Sequence, residues 1–196
     1  MSLPALRPDT RALEECLRLR RSTREYATRA LSLSEAGQLL WAAQGVTGPG
    51  GLRTAPSAGA VYPLRVYLGG WKVKGLGAGL YRYRPDEHAL EPRWMGDRRE
   101  ALCQAAAGQE CVEAAPVSIL LTANLTRMTK EFGEHARRLA LLEAGHVGQN
   151  LGLEAAGMQL GLIGLGRFVA ERVRELLEIP ATEEPLYLFA AGAPLA

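Results

Sequence analysis

A chain of 196 residues, 47% of them hydrophobic, can build a core without disulfide support, and its length sets the expectation of one domain spanning 1–196. The 23 basic and 21 acidic side chains leave a formal net charge of only +2, which excludes nucleic acid or an anionic membrane as the main partner. Three cysteines (Cys16, Cys103, Cys111) and three scattered histidines supply neither a disulfide framework nor metal-ligand spacing, so buried thiols in a reducing cytoplasm, and no metal, are expected.

Residues 10–19 read as a helix capped by Asp9 or Thr10, with Leu13, Cys16 and Leu17 on one face. Arg20-Arg21-Ser22-Thr23-Arg24 follows at once, placing three guanidinium groups and a serine hydroxyl within five residues. Guanidinium forks match phosphate oxygens and a hydroxyl satisfies a further one, so Arg20, Arg21, Ser22 and Arg24 are candidate ligands of a phosphate monoester. The alternative is a set of arginines answering the macrodipole at a helix C-terminus.

Ser32-Leu33-Ser34-Glu35 is a capping box that opens a second helix through Leu39, Leu40, Ala43 and Gln44, ending at Gly45. The loop 47–63 is long for a plain connection. Its Pro56-Ser57-Ala58-Gly59 either forms an ordinary turn or lets backbone groups approach a flat ligand. Val66–Gly69, Gly79–Arg84 and about Ala89–Arg93 read as strands, with Pro85–His88 turning between the last two and Gly75–Gly79 as a flexible turn. Asp97–Ala107 reads as a helix, and Val117–Thr122 as a buried strand.

A long helix is expected from about Gly133 to Met158. Along it Gly145, Gly148, Gly152 and Ala156 share a stripe at spacings of three and four. Each helical glycine costs about 1 kcal/mol relative to alanine, so close approach of another backbone must offset the stripe. That neighbour lies either in the same chain or in the same helix of a second subunit. His146, beside the stripe, is expected in the core or an interface.

A short strand at Gly161–Ile163, a helix at Phe168–Leu177 and a last strand at Leu186–Ala191 complete the chain. Gly161-Leu162-Ile163-Gly164-Leu165-Gly166 fits neither a Walker loop nor a dinucleotide fingerprint, which leaves it to present backbone N–H groups to a ligand's edge. Helices and strands mix without regular alternation, so the expected class is α+β. No secretory signal or membrane-length apolar run is read, and the expected location is the cytoplasm. A phosphate site with few candidate acids or bases suggests that a cofactor carries the chemistry, and no catalytic side chain is assigned.

Several of these segments together resemble the FMN-dependent nitroreductase family. They are Arg20–Tyr26, Leu31–Glu35, Leu39–Gly45, Arg53–Pro63 and Leu141–Leu151, in order along the chain, and the resemblance extends from Arg20 to Pro194. The branch they resemble is the SagB type, which includes azoline dehydrogenases. The resemblance implies a nitroreductase-like α+β fold, a central mixed or antiparallel sheet flanked by helices, in an intertwined homodimer with FMN at the subunit interface. It also implies that Arg20, Arg21, Ser22 and Arg24 bind the FMN phosphate. Pro56, Ser57 and Ala58 then line the flavin from the partner subunit, and the backbone of Gly164, Leu165 and Gly166 lies along its reactive edge near N5.

The implied activity is a ping-pong reduction of small electron-poor molecules (nitroaromatics, quinones, enones) driven by NAD(P)H. The alternatives are oxidation of thiazoline or oxazoline rings in a peptide and flavin binding without turnover. Two departures stand out. The Lys-Tyr pair of the azoline dehydrogenases falls on Glu131-Phe132, with Lys130 one place off. The basic residue that many members carry near the C-terminus has no counterpart in Gly192–Ala196.

Overall fold

The computed structural model describes residues 1–4 and 12–195. In chain order its elements are α1 (Leu13–Leu19), β1 (Leu31–Ser32), α2 (Leu33–Gln44), β2 (Leu64–Gly70), β3 (Val73–Lys74), β4 (Gly79–Arg84), β5 (Ala89–Met95), α3 (Arg99–Ala105), α4 (Glu110–Ala114), β6 (Val117–Asn124), α5 (Thr126–Phe132), α6 (Ala136–Gly157), β7 (Gly161–Leu165), α7 (Ala170–Leu177) and β8 (Glu183–Gly192). The class is α+β. Six strands form one sheet in the order β5-β4-β2-β6-β8-β7, and every neighbouring pair is antiparallel. The short β1 and β3 pair in parallel beside it.

The sheet is covered on both faces, which explains the unbroken apolar run in β6. Successive strand side chains point to opposite faces. Val117, Ile119, Leu121 and Ala123 meet Leu39 and Leu40 of α2 and Ala144, Val147 and Leu151 of α6 in one cluster. Leu120 meets Leu102 of α3, Val112 of α4 and Val173 and Leu177 of α7 in the other. Ser118 and Thr122, on the second face, are buried with partners. Trp71 Nε1 donates to Ser118 Oγ at 3.1 Å, and Glu183 accepts from Thr122, Tyr67 and Arg65.

The capping box at Ser32 is present in full: Ser32 Oγ accepts from the Glu35 amide and the Glu35 carboxylate accepts from the Ser32 amide. Gly45 follows α2 as expected, although its φ of −62° is not left-handed. Its need is for space, since a Cβ there would stand 2.1 Å from the Trp41 ring.

Other expectations are corrected. A helix that the sequence reading did not assign, α5, precedes the long one, and Gly133 at φ 53° breaks the two apart, so α6 begins at Ala136 rather than about Gly133. The helix expected at 97–107 is shorter, and α4 follows it unforeseen. On α1 only Cys16 is buried, while Leu13 and Leu17 stay 59% and 52% exposed. The expected caps Asp9 and Thr10 lie outside the described residues. His146 is exposed rather than in the core of this chain. The cysteines are free and buried. Among the described residues, no helix is long and apolar enough to cross a membrane.

Candidate functional site

The arginine segment begins where α1 ends. Arg20 is the C-cap residue, with extended backbone (φ −53°, ψ 123°) that turns the chain away from the helix. Ser22 then bridges in parallel to Leu162 of β7, and the Thr23 amide donates to the Leu162 carbonyl at 3.1 Å. This docking depends on Gly161, where a Cβ would stand 2.5 Å from Thr23. The residues of the cluster divide their work. Arg21 folds its Nη1 back onto the carbonyls of Arg18 and Arg20 at 2.9 and 2.8 Å, which satisfies acceptors at the end of α1. Arg20 instead runs along α6, close to Gly152.

A cleft of about 210 Å³ opens there, lined by Arg20 and Ser22, by Gly145, Gly148, Gln149 and Gly152 of α6, by Leu162 and Gly164 of β7, and by Tyr187 and Phe189 of β8. The glycine stripe is therefore the wall of a cavity in its own chain. A Cβ on Gly148 would stand 3.1 Å from Phe189 and 3.2 Å from Tyr187, and one on Gly152 would stand 3.1 Å from Arg20. At Gly164 the nearest atom would be the Tyr187 hydroxyl, at 2.8 Å. Tyr187 and Phe189 pack with ring centroids 4.4 Å apart, giving the cleft an aromatic floor. A neighbouring hollow of about 320 Å³ shares Arg20, Gly152 and Leu162 and adds Arg21, Thr23 and Pro194.

Three expected site residues thus converge in the cleft: Arg20, Ser22 and Gly164. Arg21 lines only the neighbouring hollow, and Arg24 is exposed and lines neither. Leu165 points into the core around α7, while Gly166 follows β7 in an exposed position. The sequence reading passed over Gln149, Tyr187 and Phe189. For the two aromatics the available signal was alternation in β8, which puts 187 and 189 on the same face.

Pro56, Ser57 and Ala58 are not in this cleft. Their loop lies against another side of α6, where Ser57 Oγ accepts from the Tyr62 amide at 2.9 Å. Beneath it Glu143 is buried at 2% exposure, and Gln44, also buried, donates to it at 3.4 Å. Burial pushes the Glu143 carboxyl up to about 7, while Ser57, Gln44 and the Arg53 charge offset part of that rise. Glu143 Oε2, Gln44 Oε1 and Arg53 Nε are buried without partners. The Glu131 carboxylate reaches the same loop, 2.7 Å from where a Gly59 Cβ would stand. Ala60 and Tyr62 hold φ near +50°, a conformation that costs side-chain-bearing residues of order 1 kcal/mol each.

The model of the nitroreductase family matches residues 17–193. A curated Methanocaldococcus jannaschii protein named for the nitroreductases is 38% identical over 180 residues, covering 92% of this chain and 90% of its own. A Ralstonia eutropha crystal structure named likewise superposes with a TM-score of 0.88 at 32% identity, covering 100% of this chain and 90% of that one. The E. coli microcin synthetase McbBCD complex, solved with truncated pro-MccB17 bound, contains a chain that shares the fold. Its TM-score is 0.80 at 22% identity, covering 100% of this chain and 76% of that one.

Proposed function

The chain belongs to the nitroreductase family and is an oxidoreductase of the flavin type; from that premise we propose that it holds FMN in the Arg20 cleft and reduces small electron-poor molecules at the expense of NAD(P)H. The observation that carries this reading is the meeting of Arg20 and Ser22 with the side-chain-free face of α6 in one cleft. The residues fit the group. A guanidinium and a hydroxyl suit a phosphate monoester, and a helix face without Cβ atoms beside two aromatic rings suits a planar ring system.

Arg20 would pair with the phosphate and Ser22 would donate to it, fixing the cofactor's register along α6. Gly148 and Gly152 would admit it to the helix backbone. Gly164 keeps the β7 edge free of a side chain, so the backbone of 164–166 would present its N–H groups to the ring edge. Bound there, FMN would supply two-electron redox chemistry between NAD(P)H and a nitroaromatic, quinone or enone. Arg21 and Arg24 are assigned an outer role, shaping the positive potential around the phosphate.

The Pro56–Ala58 loop lines the flavin in our reading as well, but from a second copy of the chain. Glu143, beneath this loop, and Gly152, in the cleft, are nine residues apart, or roughly 180° around a helix of 3.6 residues per turn. One chain therefore offers the two groups on opposite sides of α6. An isologous dimer brings the loop of one copy over the cleft of the other. The exposed Leu141 and Leu142 of α6 and Leu13 and Leu17 of α1 supply apolar surface for that contact.

A second reading, azoline oxidation in a modified peptide, is favoured by Glu131, whose carboxylate lies against the flavin-lining loop where the Lys-Tyr pair is expected. Anaerobic titration separates the readings. Purified protein should show a flavin spectrum that bleaches with NADH or NADPH and recovers with a quinone or nitroaromatic. Bleaching by an azoline peptide, and not by NADH or NADPH, would favour the second reading. Protein that stays colourless after incubation with FMN would refute both.

A further inference from the structure

A second cleft, larger than the first, lies outside this chemistry. We infer that the hollow ringed by Arg53, Arg65, Arg82, Arg84 and Arg127 binds a small polyanion carrying phosphate or carboxylate groups. It measures about 490 Å³, and Asp86 is the single acidic residue in its lining. The whole chain has a formal net charge of only +2, so five arginines around one hollow are a local device.

Their pairing leaves charge to spare. Arg65 is held by the buried Glu183, and Arg84 reaches Glu87 and Glu91, which lie outside the lining. Arg53 has the exposed Asp86 at 3.8 Å as its ion pair and lies near enough to the buried Glu143 carboxyl to lower its pKa. Arg82 and Arg127 have no carboxylate within ion-pair distance among the described residues. Arg65, Arg82 and Arg84 also come from the paired strands β2 and β4, where Tyr67 stands opposite Arg82. Strand alternation puts all three on the face that carries Tyr67, opposite the α2 face of Gln44 and Arg53, so the five arginines come together around the strand ends at Leu64, Arg84 and Asn124. Like charges gathered across strands repel, and an anion between them turns that repulsion into attraction.

The hollow also holds buried atoms that lack partners. Gln44, fully buried in its lining, has no partner for Oε1. Arg53 donates from Nη1 to the Gln44 carbonyl at 3.4 Å and lies 5.1 Å over the Tyr62 ring, yet its Nε has no partner. A buried guanidinium N–H is costly to leave unsatisfied, and an anionic oxygen is the acceptor it would take. The forked donors fit a diphosphate and a di- or tricarboxylate equally, so the two are separated by experiment.

Isothermal titration of the purified protein at low ionic strength, with inorganic pyrophosphate and separately with citrate, tests this, with matched chloride as the control. Saturable binding is expected, weakened at least tenfold in Arg82→Gln/Arg127→Gln and unchanged in Arg20→Ala. The tighter of the two probes identifies the anion class. Because Arg127 is exposed, Arg127→Gln alone carries the test should the double variant not fold. No saturable binding, equal binding by the arginine variants, or loss of binding in Arg20→Ala would each overturn the inference. The last would place the anion in the first cleft. The inference does not rest on the flavin reading: Arg20→Ala reports on one cleft and the Arg82 and Arg127 variants on the other.

Discussion

On one side of α6, Gly145, Gly148 and Gly152 leave bare backbone facing Arg20, Ser22 and the rings of Tyr187 and Phe189. On the other, Glu143 sits buried beneath Ser57, with Gln44 beside it and Arg53 close enough to lower its pKa. The first side makes room by leaving side chains out, and its polar groups come from outside the helix. The second packs titratable side chains tightly and leaves some of their atoms without partners. Shape governs the first side and charge the second. Substitutions should therefore act on cofactor occupancy on the glycine side and on pH dependence on the glutamate side.

Gly148→Leu is expected to have the largest effect. Its side chain must displace Phe189 and Tyr187, and overpacking of that kind costs about 1–3 kcal/mol. Stability should fall in denaturant titration, and bound flavin should be lost. Retained stoichiometric flavin would show that the cleft is not the cofactor site. Sedimentation of the same variant reports separately on the proposed dimer.

Arg20→Ala comes next. Removing a charged hydrogen-bonding partner costs about 1.5–3 kcal/mol, or roughly 10- to 150-fold in flavin affinity by equilibrium dialysis. The fold should be kept, because the Arg20 side chain lies in the cleft and makes no ion pair among the described residues. Affinity within a factor of about two of the parent would remove Arg20 from the phosphate role.

The smallest effect belongs to Glu143→Gln, and it appears as a slope. With its folded pKa raised to about 7 from an ordinary value near 4.5, Glu143 binds more proton in the folded chain than in the unfolded one between those values. Its contribution to stability is thus fully present below about pH 4.5 and is lost as pH rises through about 7. Glu143→Gln should flatten this decline, measured by urea unfolding across that window. An equally steep decline in the variant would show that the carboxyl is not the titrating group.

Much of the architecture was legible because its signals are local. The Ser32 capping box, the strand at Gly79–Arg84 and the apolar run in β6 each follow from residues a few places apart. Within the site, the arginine–serine segment and the glycine stripe were both visible, but their meeting was not. The long helix was expected from about Gly133, close to its observed start at Ala136, but the separate α5 before it escaped notice because it is only seven residues long. Tyr187 and Phe189 read only as part of a buried strand.

The sequence by itself determined the donor types for an anion, the bare helix face, the α+β class and the family resemblance. These are properties of residue identity and short-range periodicity. Tertiary structure alone decided that Arg20 reaches the cleft while Arg21 closes the end of α1 and Arg24 faces outward. It also decided that the glycine stripe faces a cavity, and that five arginines scattered from 53 to 127 surround a second one. The physical reason is the same in each case. The path of the chain over β7 and the register of β2 on β4 set where these side chains meet, and both come from long-range pairing that no local pattern encodes.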